Sequence, residues 1–390
     1  MTMTNAAVVY TDFRDSTDAG AALGAQISEQ LQGQSPDALI LFASPTYDLE
    51  QLISAVKTSC HPTIVVGCSS AGEFSSSGHG VEAACAVALK SSEMLFTAGI
   101  GHGLSTNPAQ AAQELVTSFR GLSTHDYVYR TALVLSDALA GHADNLVEQL
   151  TLLTAGTYQL FGGGAGDDGH FRRTYVFNGL EVVSDAVVAL EILSNKPLGI
   201  GVSHGWQPAS AGMRVTEAQD MCLVSLNASA AVEVFEDHAE NTGQVFDKED
   251  PLPFFLHNVI GIDNGTEHRL RVPLGVNGDG SLPCAADIPA GATVRIMAAT
   301  SASSSAAAAT AIQQALQQLE GHRPKVALFF DCVATRLRMG KEFGFELAAV
   351  QRELGAAQYA GFNTYGQIAR AEGQFSGFHN CTAVVCIIPE

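Results

Sequence analysis

The chain has 390 residues, of which 46% are apolar and only 15% charged, and its formal net charge is −20. That length exceeds one ordinary core and predicts two or three domains, and the apolar share is large enough to offset chain ordering, which excludes a disordered protein. The acidic surface repels phosphate, and the 20 Lys and Arg form no basic run, so nucleic acid and anionic membranes are excluded in favour of a small ligand or a protein partner.

In chain order, AAVVYTDF (6–13) predicts a strand, DAGAALGAQISEQL (18–31) a helix and DALILFAS (37–44) a strand. DLEQLISAV (48–56) follows as a helix. TIVVGCSSAGEF (63–74) is a strand emptying into a Gly/Ser turn, and VEAACAVALKS (81–91) closes the series. The same order then restarts. LFTAGIGHG (95–103), NPAQAAQELVTSF (107–119), RTALVLSDAL (130–139) and HADNLVEQLTLL (142–153) alternate strand and helix. YQLFGGGAGDD (158–168) repeats the strand with its glycine turn, and SDAVVALEILS (184–194) closes the second pass.

Residues 198–226 read as two strands joined by a turn of small residues. A helix at 228–240 comes next, then a Pro- and Gly-punctuated stretch at 246–265. Short strands fill 267–296, with a hairpin signal at NGDGS (277–281). A third pass begins with strand and helix inside residues 292–319. It continues with KVALFFDC (325–332), GKEFGFELAAVQREL (340–354), YAGFNTYGQI (359–368) and CTAVVCIIP (381–389). The near-continuous apolar strands predict sheets covered on both faces. The fold class is therefore α/β, with internally repeated strand-helix units forming layered mixed sheets in two domains. Residues 1–226 hold two pseudo-repeats, and 227–390 hold a strand-rich insert and a third. In parallel sheets ligands gather at strand ends, so the three glycine turns are expected to keep open a cleft holding a guest molecule.

The eight cysteines have no CxxC spacing, so a zinc ribbon is not signalled. The N-terminal residues carry no basic-then-apolar leader, which predicts a cytoplasmic protein with free thiols. No run of eighteen apolar residues predicts a membrane helix.

The turns point to ligand binding rather than to a known phosphate loop, because no lysine follows them in Walker spacing. Among twelve histidines, His257 stands in an apolar run with Phe254 and Phe255, the setting an axial haem ligand needs, and His204 lies beside Trp206, the single tryptophan. Cys332 ends a strand with Arg336 four residues on, whose charge would lower the thiol's pKa. Asp167 and Asp168 are adjacent and make poor acid–base partners. A Cys-dependent hydrolase using Cys68 or Cys332 stays open, although no triad assembles by spacing.

Several stretches together resemble the FIST sensory family. They are GCSSAGEF (67–74), the GGGAGDD turn (162–168), HGWQP (204–208), the Arg271–Pro273–Leu274 run with DGS at 279–281, Asp287 with Pro289 and Gly291, Cys332 with Arg336, GFNTYGQI (361–368) and the His379–Asn380 pair. Two departures occur: Gln367 stands where the family pattern has a glutamate, and Asp331 has entered beside Cys332. The resemblance implies a non-enzymatic, cytoplasmic small-ligand sensor, similar to stand-alone members that bind haem b and sense nitric oxide. The partner it implies is a histidine kinase or a diguanylate cyclase/phosphodiesterase acting in trans, with no membrane insertion; a homo-oligomer is compatible with it. The haem reading takes His257 as the iron ligand, with His204, Phe254, Phe255, Trp206, Arg271, Arg336 and Cys332 as further binding residues. An alternative reading replaces haem by a small polar metabolite such as an amino acid, its carboxylate held by Arg271, Arg336 and the glycine turns.

Overall fold

The computed structural model describes residues 4–265, 267–371 and 377–390. The first pass runs β1 (Thr4–Thr11), α1 (Ser16–Gln30), β2 (Ala38–Ala43), α2 (Leu49–Cys60), β3 (Ile64–Ser69), the hairpin β4 (Glu73–Ser75) and β5 (Gly78–Gly80), and β6 (Ala84–Ser91). The second runs β7 (Met94–His102), α3 (Pro108–Val116), β8 (Tyr129–Ser136), α4 (Ala143–Leu153), β9 (Gln159–Gly164), the hairpin β10 (Val176–Asn178) and β11 (Glu181–Val183), and β12 (Ala186–Ser194).

The third pass opens with β13 (Gly199–Ser203) and is then interrupted. The interruption contains β14 (Gln207–Pro208), β15 (Met213–Gln219), β16 (Cys222–Leu226), β17 (Ser229–Ala230), α5 (Ala231–Thr242) and α6 (Leu252–Phe255). It continues with β18 (Val259–Asn264), β19 (Glu267–Arg271), β20 (Leu282–Pro283) and β21 (Thr293–Ala298). The pass resumes with α7 (Ser301–Gln317), β22 (Pro324–Cys332), α8 (Val333–Met339), α9 (Phe343–Leu354), β23 (Gln358–Thr364), the hairpin β24 (Gln367–Arg370) and β25 (Gly377–His379), and β26 (Ala383–Pro389). The strand expected at the head of this pass, β21, instead belongs to the interrupting sheet. The true first strand is β13, almost a hundred residues upstream, paired antiparallel with β26. Local pattern could not reveal this, because both strands look alike and only the pairing distinguishes them.

Each pass builds a mixed sheet with one parallel pair at its centre: β2/β3, β8/β9 and β22/β23. Each sheet is completed by a neighbour. The β4–β5 hairpin pairs with β23 of the third pass, β10–β11 with β3 of the first, and β24–β25 with β9 of the second. This cyclic exchange welds the three passes into one body. Their inner faces share a single core that gathers Phe42, Phe161, Phe330 and Phe362, with Phe42 and Phe362 rings 4.6 Å apart. The helices cover the outer faces in three separate apolar layers.

The recurring glycines serve this exchange. A Cβ on Gly67 would lie 1.9 Å from the Leu41 carbonyl oxygen and 2.5 Å from the Phe177 ring. One on Gly361 would lie 1.7 Å from the Phe329 carbonyl oxygen and 2.7 Å from Phe74. The missing side chain is what lets the first- and second-pass hairpins bring Phe74 and Phe177 against the parallel strands they join.

The interrupting residues form an eight-stranded sheet, with β14 pairing β21 and β20 pairing β16 at its flanks. Its outer face buries Phe235, Phe254, Phe255 and Ile260 under α5 and α6. Its inner face meets the body through Trp206, Leu270, Val272 and Met297, packed against Cys332, Ala334 and Cys381. The layers thus cross the expected division at 226/227, since β14 to β16 lie in this sheet and not in the body. Among the described residues no helix is long and apolar enough to cross a membrane.

Candidate functional site

The three glycine corners converge where the ends of the central strands meet. The Ala71 N–H donates to the Asn363 carbonyl and the Asn363 N–H to that of Gly72. Gly164 exchanges bonds with the third corner, and Gly166 and Asp168 donate to Ser69 and Ser70. The corners therefore close on one another. The expected open cleft at their centre is filled by backbone, and of the corner glycines only Gly366 lines either of the two hollows beside them. Helix α8 separates those hollows.

The first, about 240 Å³, sets polar groups of Glu73, His79, Arg336, Lys341 and Asn363 into a mostly apolar lining that includes Phe74 and Phe343; it is called the polar hollow below for those groups. Its groups come from distant segments. Glu73 opens the exchanged hairpin of the first pass, Arg336 sits on α8, and Asn363 is the next-to-last residue of β23. Glu73 is 1% exposed. It accepts a hydrogen bond from the Ser70 hydroxyl and one of 3.2 Å from the Ala83 N–H. Burial pushes its carboxyl up to about 8, so it is protonated at neutral pH. Asp168 is also raised by burial, while its Oδ2 accepts from the Ser44 hydroxyl at 2.6 Å. Arg336 is half-buried, its Nε has no partner, and among the described residues no carboxylate oxygen lies within 4.0 Å of its nitrogens. The Nδ2 of Asn363, a residue 1% exposed, has no partner either. Gly72, at φ +128°, lets the two side chains close over its backbone, since a Cβ there would stand 2.8 Å from Asn363 Oδ1 and 3.3 Å from Arg336 Nε. The hollow thus presents a guanidinium and an amide N–H₂, two donors with nothing to donate to, beside a neutral carboxyl.

The second hollow, about 200 Å³, lies on the other side of α8, between the body and the interrupting sheet. Leu139, Phe171, Met221, Leu274 and Leu337 are all more than 40% exposed and all line it. Cys332, Asn380 and Tyr365 also face it. Cys332 is drawn down to about 6 by hydrogen bonds to its sulfur from the Cys381 thiol, from the Cys381 and Ala334 N–H groups and from the Gln367 side chain. The cause is this cluster and not Arg336, which the sequence spacing had suggested and which faces the polar hollow.

The other expected ligand groups are placed as follows. His257 is exposed, because the turn after α6 points it outward while Phe254 and Phe255 pack into the interrupting sheet's own core. His204 uses both ring nitrogens, Nε2 at 3.1 Å from the His268 carbonyl and Nδ1 accepting from the Trp206 N–H at 3.3 Å. Trp206 is buried under the Arg338 guanidinium, 5.3 Å from its ring centroid. Arg271 is 1% exposed and spends its donors on Asp144 (2.7 Å) and on the carbonyls of Asp287, Leu270 and Phe378. It fastens sheet to body and lines neither hollow. The two histidines expected to hold haem are not in place for it: neither His257 nor His204 lines either hollow. Cys68 lies deep in the core with its thiol pushed well up by burial, which removes it as a nucleophile.

Sequence reading singled out Arg336 and Cys332 but not Asn363, Glu73 or Cys381 as their companions. Asn363 and Glu73 lie inside the recurring turn stretches, so those stretches carried the signal.

The FIST N domain pattern matches residues 37–229 and the FIST C domain pattern residues 231–370. The chain belongs to the FIST family. FIST domains are small-ligand sensing domains of signalling proteins, and the junction of the two matched segments falls between β17 and α5. No curated protein matches this FIST chain. Among solved structures, it is similar over 100% of both chains to cyanuric acid hydrolase from A. caulinodans, at 7% identity and a TM-score of 0.39. It is also similar to PurLQS from Thermotoga maritima, at 10% identity and a TM-score of 0.22, over 98% of this chain and 72% of that one. Likenesses at that level carry no functional argument.

Proposed function

We propose that this FIST chain senses a small polar metabolite bearing a carboxylate, of the amino-acid class, bound in the polar hollow by Arg336 and Asn363. The observation that supports it is the half-buried Arg336 guanidinium with, among the described residues, no carboxylate within 4.0 Å and no partner for its Nε, beside the Asn363 Nδ2 that likewise has none among them. A charge and an amide left unsatisfied at depth are costly, and a bound carboxylate accepting from both removes that cost. Glu73, protonated at neutral pH, leaves the hollow positive enough to receive an anion and adds a hydroxyl donor. The output passes in trans to a histidine kinase or a cyclic-di-GMP enzyme through the interrupting sheet. A haem and nitric-oxide version of the sensor has no support in where His257 and His204 lie.

Calorimetry with a panel of amino acids and simple carboxylates, read beside the emission of Trp206, tests the reading. Binding is expected with a shift in emission, and Arg336→Met is expected to weaken it at least about 30-fold, the equivalent of about 2 kcal/mol for removing one partner of a buried charge pair. A panel without a binder, or one whose binder ignores Arg336→Met, overturns it. A stoichiometric Soret band on titration with haem would restore the haem version.

A further inference from the structure

We propose that Cys332 and Cys381 form a thiol oxidation site served by the apolar-rimmed hollow, whose substrate is a small organic hydroperoxide. The site is separate from the polar hollow and does not depend on the carboxylate reading. Four observations meet there. Cys332 is 3% exposed and the little it shows faces the hollow. Cys381, 4% exposed, packs in the same buried cluster. The Oδ1 of Asn380, a residue 2% exposed, faces the same hollow without a partner and can accept from a peroxide O–H. Five apolar side chains, exposed at more than 40% each, surround the entrance, which favours an alkyl or aryl group over a bare polar oxidant.

The surroundings keep Cys332 as a thiolate. The neutral Gln367 side chain contributes to lowering its pKa and is itself fixed by donating from Nε2 to the Thr364 hydroxyl at 2.5 Å and by accepting from the Thr382 N–H. Arg338 lies near enough to favour negative charge on the Cys381 side. Burial raises the carboxyl of nearby Asp331 and pushes Glu346 up to about 8, which limits the negative charge set against the thiolate. The presence of a second buried thiol in the same cluster favours oxidation over simple alkylation as the chemistry of the pair.

The reaction balances without any other reactant. The Cys332 thiolate attacks one peroxide oxygen, an S–O bond forms and the O–O bond breaks, and the alkoxide leaves and takes a proton from water. Cys381 then attacks the sulfenic sulfur, the S–S bond forms, and hydroxide leaves and combines with the Cys381 proton as water. Two electrons pass from the thiol pair to the peroxide, which becomes an alcohol. Since Cys332 precedes α8 and Cys381 lies against the interrupting sheet, closing the bond would tie those elements together.

The test uses the full chain, with no carboxylate added, and one equivalent of cumene hydroperoxide or of hydrogen peroxide. After denaturation and maleimide labelling, two of the eight thiols are expected to be lost, and digestion to yield one linked pair of peptides containing Cys332 and Cys381. Cumene hydroperoxide is expected to react faster than hydrogen peroxide. Cys381→Ser is expected to stop at a dimedone-reactive sulfenate, and Gln367→Glu to slow the reaction at least tenfold by setting an anion beside the sulfur. Iodoacetamide labelling of Cys332 in the wild type, which needs no variant to fold, is expected to be at its maximal rate already by pH 7. Eight intact thiols, a linkage between other cysteines, or labelling that rises only near pH 8.5 overturns the proposal.

Discussion

Replacing Glu73 by Gln isolates the energetic consequence of the polar hollow. The carboxyl is fully buried and its pKa is raised from 4.5 to about 8. A raised acid binds its proton more tightly in the fold than in the unfolded chain. The fold is therefore unpenalised below pH 4.5, loses stability as pH rises from there, and bears the whole cost above about 8. By linkage the cost is about 2 kcal/mol at pH 6 and approaches about 5 kcal/mol at pH 9. Glutamine resembles the protonated acid in shape and does not titrate. It alters the bond with Ser70, but that offset is the same at every pH. The variant's stability relative to wild type is therefore expected to rise by about 3 kcal/mol between pH 6 and pH 9. Asp331 and Glu346 are raised by burial too and titrate in both proteins, so subtraction removes them. Urea denaturation followed by circular dichroism at the two pH values measures the difference. A gap between variant and wild type that does not change with pH refutes the claim that Glu73 is buried as a neutral acid.

Two further substitutions examine the frame around the hollows. Gly361→Ala must move the Phe329 carbonyl, 1.7 Å from the new Cβ, and is expected to cost at least about 3 kcal/mol in a urea melt. The control Gly344→Ala meets nothing within 4 Å in α9 and is expected to be neutral or to gain up to about 1 kcal/mol. Arg271→Met leaves the carbonyls of Asp287 and Phe378 without their donor and Asp144 without its closest cation. It is expected to cost about 3–5 kcal/mol and to hasten proteolysis between the body and the interrupting sheet, and unchanged cleavage would mean that Arg271 does not fasten the two.

Much of the body was legible in the amino-acid order because its signals are local. ALILFA and VALFF are buried on both faces as their unbroken apolarity requires, and the glycine turns do end strands. What was hidden depends on partners far apart in the chain. Nothing near Phe74 or Phe177 announces that each hairpin completes another pass's sheet, and β13 carries no mark that its module resumes only at α7. The same limit governs the sites. His257 looked like a ligand because its sequence neighbours are apolar, yet a turn after α6 sends Phe254 and Phe255 inward and the imidazole outward. Arg271 looked like an anion clamp, but its donors are consumed by carbonyls that sequence spacing cannot count. Arg336 and Asn363 stand 27 positions apart, and their donors are brought to one hollow only by the pairing of β22 with β23.

Helix α8 is the physical link between what is bound and what a partner could feel. In seven residues it sends Arg336 into the polar hollow and Val333, Ala334 and Leu337 to the apolar one. Its Arg338 lies over Trp206 and donates to Ser304 Oγ at 2.5 Å and to the Ala299 carbonyl at 3.3 Å. Arg336 and Arg338 are two residues apart on one helical turn, so they move as a unit. A ligand that shifts α8 through Arg336 is expected to disturb the Arg338 contact with Trp206 as well, which a change in Trp206 emission on binding would report. A ligand can shift such an equilibrium only by its differential affinity for the two arrangements, and a swing from 1:99 to 99:1 requires about 10⁴-fold. The half-buried Arg336 guanidinium supplies part of such a difference, because its cost is relieved only in the arrangement that brings both donors to the carboxylate. The charge that makes Arg336 expensive to bury is thus the same charge that would make binding there felt by the sheet.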